Sequence, residues 1–457
     1  MTAMTVRAGP APANPLLSDA VLPTLLRMSL PNVAAMLAMA LVAIGETAYV
    51  GNLGTAALAG FALVFPLVML QQMMSAGAMG GGVSSAIARA IGAGDDRRAT
   101  ALALHASIIG TLAGLAFTAV MIGGGSAIFR LLGGSGDALE QALAYANVAF
   151  LGSIGVWLTN TFASVIRGSG NMRIPSSTLL LVNVAQVVLG GGLGLGLGFL
   201  PRLGMPGVAL GQVLAYAGGS AFLLWYLASG RARVRLALRG ISIDRAIFTD
   251  ILRVGALSCI SPIQTVLTAL LATRIVATGG AAALAGYGIG SRLEFLLVPI
   301  TFGIGVATVP LVGMAIGSGD VARARRVAWT GGLLSMMITG IIGVIVAVVP
   351  DLWAGLFTAD PEVLAVSRTY FHWVGPFYGL FGLGLCLYFA SQGAGRVLGP
   401  VLTGTLRLGI VGIGGFWLAS EGAGSSTLFA VIAAGMAVYG ISTAAAVAAS
   451  RWGAATR

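Results

Sequence analysis

Two acidic residues interrupt apolar stretches long enough to cross a lipid bilayer: Glu46, in MALVAIGETAYVG, and Glu294, in SRLEFLLVPI. An ionisable side chain inside such a span is costly and marks a site by default. Burial disfavours the charged form of Glu46, so it could take up a proton on one side of a membrane and release it on the other. Glu294 has two open readings: it lines a cavity and meets a cationic substrate, or it is held by Arg274 or Arg407 in a structural salt bridge. Tyr370, Trp373, Phe377, Phe381 and Tyr388 recur at near-helical spacing. Such a stripe could stack on flat cationic compounds or pack between helices and at the membrane interface. His105 and His372 lie near span ends and are read as structural. Cys259 and Cys386 sit far apart in apolar runs, which argues against a disulfide scaffold and against a zinc site. No nucleophile and base converge, so an enzyme is not expected, nor is a bound cofactor. The GxG patterns lie inside hydrophobic runs, and with no Lys for a P-loop the chain cannot be an ATP-driven pump by itself.

The elements that position these residues follow from composition. Charged residues make up 9% of the 457 and hydrophobic ones 57%, against about a quarter charged in soluble chains; mean hydropathy is +0.96. This excludes a soluble enzyme, a disordered chain and a nucleic-acid binder. About 20 apolar residues span a bilayer as a helix. Cutting at Gly/Pro/Arg/Asp clusters predicts twelve helices, near 22–49, 56–88, 99–124, 138–165, 175–199, 206–229, 247–277, 283–312, 325–350, 362–390, 399–419 and 426–449. Every basic residue is Arg. With both termini cytoplasmic, nineteen of the 25 arginines fall on the cytoplasmic side and three outside (Arg130, Arg202 and Arg368). That is the asymmetry that sets membrane orientation, and it makes the net charge of +11 a topology signal rather than a binding patch. The first 20 residues hold no apolar segment of signal-peptide type, so the expected location is the bacterial cytoplasmic (inner) membrane, multi-pass.

The chain also repeats itself. GTAALAGFA (54–62) returns as GAAALAGYG (280–288), IGAGDDRRA (91–99) as IGSGDVARA (316–324), and RGSGNMRIP (167–175) as QGAGRVLGP (392–400). The offset is 226 and then 225 twice. Two six-helix lobes are expected, 1–229 and 247–457, joined by a basic cytoplasmic linker over 230–246. Six is even, so both lobes enter from the same side and should be related by a pseudo-two-fold axis along the membrane normal, with a carrier cavity between them. The fold class is therefore all-α integral membrane, with twelve transmembrane helices in two lobes. The position that answers Glu46 in the second lobe is Ala272.

These motifs carry a resemblance. ETAYVGNLGTAALA (46–59) resembles the first-helix signature of the multidrug and toxic compound extrusion (MATE) family. IARAIGAGDDRRA (87–99) is similar to the family's loop between helices two and three, and VIRGSGNMRIP (165–175) and ASQGAGRVLGP (390–400) are similar to its loops in the two halves. Pro31 stands where the family has a helix-one proline. The resemblance implies a secondary exporter of organic compounds in exchange for protons or sodium, and it puts Glu46 at the family's helix-one acid. Asn183 fits the Asn of an N-x-x-x-D pattern in helix five, while Val187 takes the place of its acid; Gln186 is adjacent, and Gln212 falls near a small hydroxyl position in helix six. The resemblance thus implies a cation-coupling cluster of Glu46, Asn183, Gln186 and Gln212, in which a single acid favours protons over sodium. Glu294, Tyr370, Trp373, Phe377 and Phe381 are the candidate substrate residues. The expectation is a monomeric antiporter for cationic or amphipathic organic compounds, embedded in the bilayer and without nucleic-acid partners. A sodium-coupled exporter and a lipid-linked precursor flippase of similar architecture are the alternatives.

Overall fold

The computed structural model describes residues 15–198, 200–237 and 243–453, the side chain of Ala40 excepted. Among the described residues eleven helices are long and apolar enough to cross a membrane, and one bent pair makes the twelfth. In chain order they are α1 (Val21–Gly51), α2 (Thr55–Gly92), α3 (Asp96–Leu131), α4 (Gly136–Leu151 with Ser153–Gly168), α5 (Arg173–Leu195) and α6 (Met205–Ala228). The second set is α7 (Arg245–Ala277), α8 (Ala281–Gly317), α9 (Val321–Val348), α10 (Pro361–Gly393), α11 (Leu398–Ser420) and α12 (Ser425–Ala449). The span expected at 138–165 is the bent pair: its halves meet at 48°, because the helix breaks at Gly152, where α6 presses Val213 against the backbone. Large apolar side chains such as Leu41, Ile44, Val188 and Val348 stand more than half exposed on the helix bundle, which suits contact with lipid. The middle of the expected linker, 238–242, and with it Arg239, lies outside the described residues, as do Arg7 and Arg457.

The repeated motifs are turns. α2 ends at Gly92, and the chain reverses through Gly94 (φ +76°); Asp95 then accepts a hydrogen bond from the Arg98 amide at 2.8 Å and caps α3. The second copy does the same between α8 and α9, with Gly319 (φ +83°) and Asp320 accepting from the Arg323 amide at 2.8 Å. A positive φ is open to glycine at little cost, and a helix N-terminus left with unpaired N–H groups needs an acceptor. The other repeats place Gly54 and Gly280, and Gly170 and Gly395, at positive φ in matching turns.

The two lobes, α1–α6 and α7–α12, interlock reciprocally. α1 packs along α8, and the first half of α7 (Arg245–Ser258) packs on the second half of α2. The first helix of each lobe thus leans on the second helix of the other, as an approximate two-fold axis requires. The lobes also meet closely at the Arg-rich end. Gly92 has no room for a Cβ against the Met314 carbonyl, and its repeat counterpart Gly317 has none against the Arg89 carbonyl. Asp250 of α7 takes Arg89 at 2.6 Å and Arg98 at 2.9 Å. Gln392 donates to the Gly77 carbonyl at 3.1 Å, and Ser85 donates to the Gln392 carbonyl.

Candidate functional site

The first-lobe site is built on α1, α2, α4, α5 and α6. Glu46, one turn before the end of α1, is 5% exposed. Its Oε1 accepts from Gln186 Nε2 of α5 at 2.7 Å and from the Tyr49 hydroxyl at 3.5 Å. Among the described residues it has no basic partner within ion-pair distance. Around it runs a second layer of hydrogen bonds. Tyr145 donates to Gln212 Oε1 at 2.8 Å, and Gln72 Nε2 bonds the Tyr216 hydroxyl at 2.5 Å. Asn160 Nδ2 donates to Gln72 Oε1 at 3.1 Å and to Ser75 at 2.8 Å. Glu46, Gln72, Tyr145, Asn183, Gln186, Gln212 and Tyr216 line one pocket. Asn183 is buried and makes no hydrogen bond there.

All four expected coupling residues therefore meet in one pocket, with Glu46 and Gln186 in direct contact. Sequence reasoning missed Gln72, Tyr145, Asn160 and Tyr216. The available signal was Gln71–Gln72 and Asn160, amides within otherwise apolar spans that need partners.

The second lobe carries its own pocket, between α7, α8, α10, α11, α12 and the middle of α2. α2 widens to π-helical geometry at Met73–Met79, a distortion often found at functional sites. Gln72, just before it, faces the first pocket, whereas Met73 and Gly77 face the second. Of the five expected substrate residues, Phe381 lines this pocket. Glu294 does not; its carboxylate receives the Tyr370 hydroxyl, and among the described residues neither Arg274 nor Arg407 comes within ion-pair distance of it. Tyr370 is fully buried, edge-on to Phe429 and Tyr287. Trp373 is 43% exposed and donates to Ser426 at 2.7 Å, and Phe377 packs on the core around Tyr370. The aromatic stripe divides because α10 passes through a 3₁₀ turn at Gly375–Phe377, which shifts the helical phase between its two parts. His105 is structural in placement: Nδ1 bonds the Ala101 carbonyl at 2.8 Å, and Nε2 accepts the Asp244 amide at 3.0 Å, tying α3 to the start of α7. Among the described residues no cluster of His, Cys, Asp or Glu could hold a metal ion.

A family model described as MatE matches the chain twice, over residues 31–190 and again over 258–418. The chain belongs to the MATE family. The double match also reproduces the internal repeat. The family is one of membrane transporters, and the chain is not an enzyme. Among its relatives, a protein described as probable multidrug resistance protein NorM from Thermotoga maritima is 27% identical, covering 83% of this chain and 81% of its own length. A protein described as an FAD transporter, from Shewanella oneidensis, is 24% identical over 86% of this chain and 87% of its own. Among solved structures, a MOP superfamily transporter from Pyrococcus furiosus superposes with a TM-score of 0.85 at 25% identity, over 94% of this chain and 95% of the other. That transporter is reported to have a binding pocket of reversed polarity, suggesting a different function. The MATE relatives place the twelve-helix, two-lobe architecture of this chain in a transporter family.

Proposed function

We propose that this MATE-family chain is a proton-coupled antiporter that exports amphipathic organic compounds across the bacterial cytoplasmic membrane. It would work by rocking of the lobes 1–229 and 247–457, with both termini cytoplasmic. The observation that carries the reading is the wiring of Glu46: a lone, buried carboxylate in a pocket, met by amide and hydroxyl donors and by no cation. The donor directions favour a proton over sodium. Sodium needs several oxygen ligands, yet the Gln212 oxygen is already taken by Tyr145 and the Gln72 oxygen by Asn160, while Gln186 presents its nitrogen to Glu46. Among the described residues the Gln186 oxygen and Asn183 carry no hydrogen bond, and an amide oxygen of either kind in this pocket is an acceptor for a protonated Glu46.

In the proposed cycle, a proton entering from outside neutralises Glu46, loosens its hold on Gln186 and lets α1 shift against α5 and α8. Release of that proton inside restores the Glu46–Gln186 bond and resets the carrier. One charge moved through 100 mV is worth about 2.3 kcal/mol, and one pH unit adds about 1.4 kcal/mol. At about 1.4 kcal/mol per decade, one proton supports a cargo gradient of roughly a few hundred-fold. Cargo charge does not follow from family membership, since the relatives include one described as a multidrug resistance protein and one as an FAD transporter.

The test is efflux of fluorescent organic compounds of either charge from proteoliposomes, under separately imposed proton and sodium gradients, for the unaltered chain and Glu46→Gln. Proton-driven efflux that disappears in Glu46→Gln supports the assignment. Sodium-driven efflux, or a Glu46→Gln carrier as active as the unaltered one, overturns it.

A further inference from the structure

Among the described residues Arg407 on α11 is the one charged residue lining the pocket of the second lobe. Its guanidinium lies 5.0 Å from the ring centre of Phe381 and 5.9 Å from that of Tyr439. Its Nε is buried and makes no hydrogen bond, and among the described residues no carboxylate stands within ion-pair distance. Glu294, the lobe's buried acid, is outside the pocket and is engaged by Tyr370. A second group in the same pocket is also unsatisfied. Gln264 on α7 donates from Nε2 to Thr405 at 2.7 Å and to the Val401 carbonyl at 3.3 Å, which leaves its buried Oε1 without a partner. The remaining wall is largely aromatic, with Phe302, Phe381, Tyr388 and Phe389.

A cation and a carbonyl oxygen left unpaired within a membrane protein are costly, and both costs are relieved by one kind of guest. We propose that this pocket is a binding site for planar aromatic anions. The carboxylate or phosphate of the guest pairs with the Arg407 guanidinium, whose planar fork suits two-point binding of such groups. The aromatic body lies among the Phe and Tyr rings, and a hydroxyl or N–H on the guest donates to Gln264 Oε1. A few convergent polar groups in an apolar wall are the normal make-up of small-molecule sites. The substrate class follows from the polarity of the wall. A cationic aromatic would meet the Arg407 charge at the wall, and no carboxylate lines the pocket among the described residues to receive it.

The inference deepens the exporter reading and rests on it for the claim that the guest is cargo. Its test is equilibrium binding, which needs no ion gradient. Purified protein in detergent is titrated calorimetrically with 6-hydroxy-2-naphthoate, 6-hydroxy-2-naphthamide and the matching naphthylmethylammonium. The carboxylate is expected to bind at least tenfold more tightly than the amide, with the ammonium weakest. Arg407→Gln should abolish the difference between carboxylate and amide, and Arg407→Lys should retain part of it. Replacing the 6-hydroxyl by methoxy should weaken binding to the unaltered protein and not to Gln264→Leu. A preference for the ammonium, a carboxylate preference that survives in Arg407→Gln, or no binding of the carboxylate at millimolar concentration overturns the proposal. Should Arg407→Gln fail to fold, the methoxy comparison and Arg407→Lys still decide it. Binding as expected without proton-driven efflux would sink the coupling assignment alone.

Discussion

Asp250→Asn should loosen the Arg-rich end of the lobe interface. Asp250, on the second lobe, holds two arginines of the first: Arg89 at the end of α2 at 2.6 Å and Arg98 in the first turn of α3 at 2.9 Å. The Arg89 side chain is 18% exposed and that of Arg98 50%, so the two bonds differ in worth. A largely buried hydrogen bond to a charged group contributes about 1.5–3 kcal/mol, and an exposed ion pair about 0–1 kcal/mol. Removing the charge on Asp250 should therefore weaken this closure by about 2–3 kcal/mol. At about 1.4 kcal/mol per decade, that is a shift of roughly 30- to 100-fold toward the state in which this end is open. Spin labels at Ala93 and Ser318, both exposed at the tips of the α2–α3 and α8–α9 turns, report the separation by pulsed electron resonance. The unaltered protein should show mainly the short distance, and Asp250→Asn a dominant or clearly enlarged long component. A distance distribution that does not change, in a variant whose melting shows it is folded, would refute the assignment of this triad as the lock.

The reciprocal glycines make a matched prediction: Gly92→Ala and Gly317→Ala each set a Cβ against a backbone carbonyl of the other lobe. Overpacking of this kind costs about 1–3 kcal/mol, and the same spin-label pair should lengthen in both variants. In the first-lobe site, Asn160→Leu strands the buried Gln72 oxygen and removes the bond to Ser75. A loss of about 1–3 kcal/mol is expected, read as a lower thermal midpoint in detergent, with proton-driven transport reduced beyond what the stability change explains.

The amino-acid sequence by itself determined everything about this protein that depends on neighbours along the chain. Span positions follow from runs of apolar residues. The twofold plan follows from the returning motifs, whose Gly–Asp turn residues cap α3 and α9 in the same way. Glu46 was legible because a carboxylate in an apolar run stands out against its surroundings. Its partners in α5 and α6 became legible only through likeness to a family, since no local signal ties residue 46 to residues 186 and 212.

Tertiary structure alone decided the chemistry between distant helices. Which amide oxygen is free and which is already taken depends on Tyr145, Asn160 and Tyr216 arriving from α4 and α6. The aromatic residues of α10 read as one stripe only if the helix is regular. The turn at Gly375–Phe377 breaks the phase, so Tyr370 enters the core while Phe381 and Tyr388 reach the pocket. In the sequence Arg274 and Arg407 were both open as ion-pair partners for Glu294, beside a role for Glu294 in a cavity wall. Side-chain packing holds both beyond ion-pair distance of Glu294, gives Glu294 to Tyr370, and leaves Arg407 among aromatic rings with its Nε unbonded. A charge's worth in a membrane depends on what stands a few ångströms away in space, and spacing along a chain carries no record of that.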